Sequence, residues 1–133
     1  MIYLDSSALV KLVRHERETP DLLAWLRERA SAALVSSCLA EVEVARAIRR
    51  YDPTALANIP GVMARLYRVE IDARIRAMAA AYEDAALRSL DAIHLATAEF
   101  LARESQDLEA FVAYDERLLV AAERRDLVVA MPG

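Results

Sequence analysis

The chain has 133 residues, 56% of them hydrophobic and only two glycine, with no repeat or low-complexity tract; disorder and solenoids are excluded and one domain over 1–133 is expected. Its single cysteine, Cys38, excludes an internal disulfide and a cysteine-based zinc site, and no apolar run approaches the roughly 20 residues that span a bilayer. The net charge of −4 does not exclude nucleic acid, because with four carboxylates gathered in one metal-binding pocket the remaining acids match the bases at 17 each.

The first strand candidate is Ile2, Tyr3 and Leu4, an apolar run with β-prone members, followed at once by Asp5, Ser6 and Ser7. The two serines are suited to capping a helix over 7–14, whose apolar face comprises Leu9, Val10, Leu12 and Val13. Thr19 and Pro20 open a second helix reaching Ala30, with Leu22, Leu23, Trp25 and Leu26 at helical spacing. Trp25 belongs to that apolar row, so it reads as packing rather than as a platform for a base.

A second strand is expected over 33–36 and a helix over 39–50. Glu41 and Glu43 fall on this helix about 200° apart, so only one of them faces any given pocket, and the helical wheel does not choose between them. The stretch 53–66 reads as a loop and a helix interrupted by Pro60-Gly61. Residues 67–71 alternate as a short edge strand does, and Asp72 is placed to cap an alanine-rich helix over 73–85. Ser89-Leu90-Asp91 then begins a helix over 92–103 that is apolar almost all round and therefore central. A strand over 108–114 ends in Asp115, a helix follows over 116–125, and a final strand over 127–130 closes the pattern. Strands alternating with helices predict an α/β fold: a mostly parallel central sheet covered by helices on both faces.

Open sheets of this kind bind ligands beyond the carboxyl ends of their strands. Asp5 and Asp115 follow strands directly, Asp91 opens the central helix, and Glu43 lies in the first half of another. Each has an ordinary structural reading as a cap, a turn residue or a solvated partner of Arg46 or Arg50. Together they suggest a pocket of oxygen donors, which suits Mg²⁺ or Mn²⁺ rather than zinc and supports cleavage of phosphate esters by metal-activated water. His94, one turn after Asp91, reads as a packed, hydrogen-bonded histidine rather than a ligand. Ser6 and Ser7 are candidates for capping or for orienting water at the metal, and Glu116 for an outer acid. All bases except Lys11 are arginine, which suits phosphate recognition, although G- and C-rich coding produces the same bias.

Four blocks resemble the PIN-domain ribonucleases, and most closely the VapC-type toxins of toxin–antitoxin pairs. They are residues 2–9 (Ile-Tyr-Leu-Asp-Ser-Ser-Ala-Leu), 36–47, 90–98 around Asp91 and His94, and 111–118 around Asp115. The resemblance covers nearly the whole chain and implies a PIN-like three-layer sandwich. It places the family's acids on Asp5, Glu43, Asp91 and Asp115 as both metal ligands and catalytic residues, with Glu41 a bystander or an outer group behind them. It implies an Mg²⁺-dependent endoribonuclease, with Mn²⁺ as a possible substitute, acting on RNA as a homodimer and restrained by a cognate VapB-type antitoxin.

Two departures from the family pattern stand out. Ala113 occupies a position where the family commonly has Thr or Ser, which implies weaker metal binding or reliance on a nearby serine. Asp126 replaces the usual Gly in the turn before the last strand, and aspartate also tolerates the left-handed conformation. The N-terminus lacks the basic stretch and long apolar core of a secretory signal, so a cytoplasmic location is expected.

Two other strand-then-aspartate chemistries fail on composition. A haloacid-dehalogenase-type hydrolase needs a second Asp where Ser7 stands, and a receiver domain needs a late lysine, which this chain lacks. The remaining alternative is a PIN-like module that keeps its acids but binds or assembles without catalysis.

Overall fold

In the computed structural model, which describes residues 1–133, five strands form one sheet: β1 (Ile2–Leu4), β2 (Leu34–Ser37), β3 (Leu66–Val69), β4 (Ala110–Val112) and β5 (Val129–Ala130). Their order is β3-β2-β1-β4-β5 and every pairing is parallel. β1 is therefore central, with Ile2 opposite Leu34 on one side and Ala110 on the other. The chain moves outward from β1 through β2 and β3, then crosses back to build β4 and β5 beyond it. That reversal opens a crevice past the carboxyl ends of β1 and β4.

Period-two alternation divides the core into two layers. Ile2, Leu4 and Val112 point to one face, where they meet Ala8 and Leu9 of α1 (Ser6–Val13), Leu22 of α2 (Thr19–Arg27), Val44 and Ile48 of α3 (Leu39–Tyr51) and Met63 of α4 (Ile59–Met63). Tyr3, Val35 and Phe111 point to the other, against Leu95 and Ala98 of α6 (Ser89–Ser105) and Leu118 and Ala122 of α7 (Glu116–Glu123). Between β3 and α6 lies α5 (Ala73–Ala81), begun by Asp72, whose side chain accepts from the Ile75 amide at 2.9 Å. The result is the expected three-layer sandwich, with a wholly parallel sheet. Ser36 fastens its centre: its buried hydroxyl donates to the Leu4 carbonyl at 2.7 Å.

Several element ends differ from expectation for local reasons. α1 begins at Ser6 because Asp5, not a serine, supplies the cap. Pro60 and Gly61 fall inside the first turn of α4, where proline is tolerated, after a 3₁₀ turn over Pro53–Asn58, so they do not interrupt the helix. α5 stops at Ala81, four residues early, because Tyr82 turns to extended backbone (φ −63°, ψ 132°). The expected edge strand is real, but it runs from Leu66 to Val69 and pairs only with β2. The last strand is only two residues long.

Asp126 adopts φ 60°, as its place in the turn after α7 suggested, and the Leu127 amide donates back to the Ala122 carbonyl at 3.2 Å. A side chain in this conformation is strained, so Asp126→Gly is expected to stabilise the protein by about 0.5 kcal/mol in urea unfolding, and Asp126→Val to destabilise it.

Candidate active site

Asp5 is the first residue past β1 and caps α1. Its Oδ1 accepts from the Ala8 amide at 3.0 Å and from the Ser7 hydroxyl at 2.6 Å, and only 4% of the residue is exposed. Ser7 Oγ in turn accepts from the Tyr114 amide at 2.9 Å. One hydroxyl thus ties the exit of β1 to the exit of β4, across the crevice that the strand order opens. Ala113, where a family hydroxyl was expected, is fully buried beside Tyr3 and Leu118. Ser7 is the hydroxyl that meets Asp5.

Glu43 projects from α3 toward the same place, where its Oε1 accepts from Ser6 Oγ at 2.6 Å and from His94 Nε2 at 2.6 Å. A carboxylate only accepts, so Nε2 carries a hydrogen directed at Glu43. The other ring nitrogen, Nδ1, lies 2.7 Å from Tyr3 Oη. That hydroxyl donates when the imidazole is neutral and accepts when it is protonated. Tyr3 is fully buried, and burial, reinforced by the charge of Asp5, keeps its phenol protonated far above the usual range. The chain Tyr3–His94–Glu43–Ser6 therefore joins β1, α6, α3 and α1 through side chains alone. Glu41 faces away, 3.0 Å from Arg68 at the surface. Of the two glutamates on α3, Glu43 is the one turned toward Ser6 and His94.

His94 is 1% exposed and hydrogen-bonded at both nitrogens, as its apolar helix suggested. Tyr3 was missed as a polar partner, since an apolar strand reading treats it as core and nothing in the sequence pairs it with a residue 91 positions away. Trp25 packs against the core, and Arg29 covers its ring at 3.9 Å. Glu116 is exposed and makes no hydrogen bond to any of the four acids.

The acids sense one another electrostatically. Burial raises the pKa of Asp5, and the charge of Asp91 adds to the effect; His94, Ser7 and the Ala8 amide oppose it and lose. Asp91, in the first turn of α6 and half-buried, is raised by burial, then by the charge of Asp115, then by that of Glu43. Glu43 goes the other way. Burial acts to raise it, but the hydrogen bond and charge of His94, with the Ser6 hydroxyl, hold it below the ordinary glutamate range. Asp115 caps α7 by accepting from the Arg117 amide at 2.9 Å.

No arginine or lysine forms an ion pair with Asp5, Glu43, Asp91 or Asp115. As they stand, no three acid, histidine or cysteine side chains are grouped closely enough to hold a metal ion. Their chemistry fits a hard divalent cation all the same: these are oxygen donors with no arginine or lysine ion pair, two of them carrying a charge that their surroundings disfavour on balance.

The PIN domain family matches residues 2–124. The chain is 54% identical over 133 residues to Ribonuclease VapC35 of Mycobacterium tuberculosis, covering 100% of this chain and 98% of that one. It is 40% identical over 132 residues to Ribonuclease VapC46 of the same species, covering 99% and 98%. Among solved structures it superposes on a chain of VapBC2 from Rickettsia felis, crystallised bound to a DNA fragment from their promoter, with a TM-score of 0.62 over 98% of each chain at 13% identity.

The two unusual features of the site have separate tests. Tyr3→Phe leaves His94 Nδ1 buried without a partner and is expected to cost about 1–3 kcal/mol in urea unfolding. Asp91→Asn removes a charge that burial and its neighbours disfavour. In EDTA its melting temperature is expected to rise by a few degrees at pH 7, and the gain to shrink as pH falls and the wild-type Asp91 takes up its proton.

Proposed function

Because the chain belongs to the PIN-domain family, and within it to the VapC-type ribonucleases, we propose that it is a divalent-metal-dependent endoribonuclease acting as the toxin of a toxin–antitoxin pair. What supports the site assignment is that Asp91 feels the charges of Asp115 and Glu43, and Asp5 that of Asp91, beyond the carboxyl ends of the central strands, with no arginine or lysine in an ion pair with any of the four.

Asp5, Asp91 and Asp115 would hold Mg²⁺, or Mn²⁺ in its place, with Glu43 completing the set. When bound, the ion polarises the phosphate and makes water a better nucleophile. The protein's own part is positional. Asp5 is locked by two hydrogen bonds on Oδ1, leaving Oδ2 free. Glu43 stays ionised at neutral pH with Oε1 held by Ser6 and His94, so Oε2 remains as the lone-pair donor toward water and its proton. The repulsion of Asp91 by Asp115 and Glu43, offset only in part by His94 and Arg88, favours uptake of a cation. Attack by water on the phosphodiester leaves a 5′-phosphate and a 3′-hydroxyl.

Residues 1–133 act as a single PIN domain in this reading. The partners are a cytoplasmic RNA, a second copy in a homodimer and a VapB-type antitoxin that inserts a basic side chain among the acids. No helix is long and apolar enough to cross a membrane. The loose spacing of the acids favours a second reading, a PIN-like module that binds without cleaving.

Purified, antitoxin-free protein incubated with total cellular RNA separates the two. Cleavage is expected with Mg²⁺, to be absent in EDTA, and to fall about 100-fold or more in Asp91→Asn, the equivalent of losing a few kcal/mol of transition-state stabilisation. Fragments ending in a 2′,3′-cyclic phosphate would contradict water attack, and folded protein inert in both Mg²⁺ and Mn²⁺ would favour the binding module.

A further inference from the structure

The acidic site does not end at Glu43. On α3 the residues at i+3, i+4 and i+7 from Glu43 are Arg46, Ala47 and Arg50, so the stripe that carries Glu43 continues along the helix as a basic ridge. By helix geometry Arg46 and Arg50 lie about 4.5 and 10.5 Å further along the axis. Arg49 flanks them, and all three are exposed without forming an ion pair. The negative end of the helix dipole accounts for arginines in the last turn, where Arg49 and Arg50 lie. It does not account for Arg46, a turn earlier.

Two adjoining surface depressions run from this ridge to Ser7, the hydroxyl bonded to Asp5. One, of about 570 Å³, is lined by Arg46, Ala47, Arg49, Arg50 and Tyr51. The other, of about 430 Å³, shares Ala47 and Tyr51 with it and runs on to Ser7 and Tyr114, the residues bonded to each other beside Asp5. Glu16, the one acid along the second depression, is neutralised by Lys11 at 3.2 Å and Arg14 at 3.5 Å. Where the two adjoin, Tyr51 is 64% exposed, with the Arg50 guanidinium 5.3 Å from its ring centre. A groove with free arginines along it and an exposed aromatic ring in its wall fits a single nucleic-acid strand, whose phosphates need cations and whose unstacked bases need a flat surface.

We propose that Arg46, Arg50 and Tyr51, with Arg49 beside them, form the track that holds single-stranded RNA next to the phosphate being cleaved. The assignment rests on the nuclease reading and adds the direction of the strand: it leaves the acids along α3, toward the carboxyl end of the helix. Arg46 and Arg50 hold flanking phosphates, and Tyr51 receives a base.

The test is binding of a fluorescein-labelled single-stranded RNA in EDTA, followed by anisotropy over a range of NaCl, so that no cleavage is needed for the readout. The double variant Arg46→Ala, Arg50→Ala is expected to bind at least tenfold more weakly, with a salt slope shallower by about 1.4, the share of two phosphate contacts on a single strand. Tyr51→Ala is expected to weaken binding at unchanged slope, because stacking releases no counterions. As a charge-matched control, Arg27→Ala, Arg65→Ala removes two exposed arginines that line a depression away from the acids, and it is expected to bind like wild type.

Unchanged affinity and slope in the Arg46, Arg50 variant, or an equal loss in the control, would overturn the track, as would wild-type protein that does not bind the RNA. So would loss of antitoxin binding with RNA binding intact, which would give the ridge to a protein partner. Binding with these properties but without Mg²⁺-dependent cleavage would instead overturn the nuclease reading and leave the track standing.

Discussion

A carboxylate at the end of a central, fully buried strand must be either compensated or neutralised, and this constraint shapes the whole site. Asp5 has almost no access to water. Two hydrogen bonds on one oxygen do not offset the loss of solvent, and its acidity is weakened accordingly. Asp91, in the first turn of α6, lies near enough to add its own charge to the burden. A fold concerned only with stability would place a hydrophobic residue or a basic partner there. Retaining an uncompensated acid at the switch point makes sense if something else supplies the positive charge.

The scaffold around Asp5 is built to keep its geometry while the charge changes. Ser7 clasps the ends of β1 and β4, and the His94 imidazole spans from the strand that carries Asp5 to the helix that carries Glu43. Because the links reach four separate elements, none of these side chains can turn without breaking a buried or part-buried hydrogen bond. Such bonds cost more to lose than they contribute when made, so the network specifies orientation more than it adds stability. Asp5, Asp91 and Asp115 thus stand at strand and helix ends, and Glu43 within a helix, rather than on mobile loops.

Much of this was legible in the residue pattern. Apolar runs punctuated by acids located the strands, and the alternation of strands with helices gave the layered architecture. The apolar surface of α6 marked His94 as buried. Other features depended on contacts that no local pattern encodes. Glu41 and Glu43 lie on opposite margins of one apolar arc. What separates them is Arg68 on β3 beside Glu41, and Ser6 on α1 beside Glu43. The cap of α1 falls on Asp5, whose Oδ1 accepts from the Ala8 amide, while Ser6 and Ser7 lie inside the first turn with their hydroxyls donating to Glu43 and Asp5. The early end of α5 follows from backbone that leaves the helix at Tyr82, whose hydroxyl then reaches Glu99 on α6 at 3.0 Å. The basic ridge was hidden by the net charge, since a chain with more acids than bases overall still concentrates three unpaired arginines on one helix.

The central claim, that the four acids form a site for a hard divalent cation, is tested most directly by calorimetric titration of MgCl₂ and MnCl₂ into RNA-free protein, beside Asp5→Asn. Saturable binding that disappears in the variant, with CaCl₂ and ZnCl₂ as comparisons for selectivity, is the expected result. Heats no different from dilution for wild-type protein, or binding that survives loss of Asp5 unchanged, would contradict it.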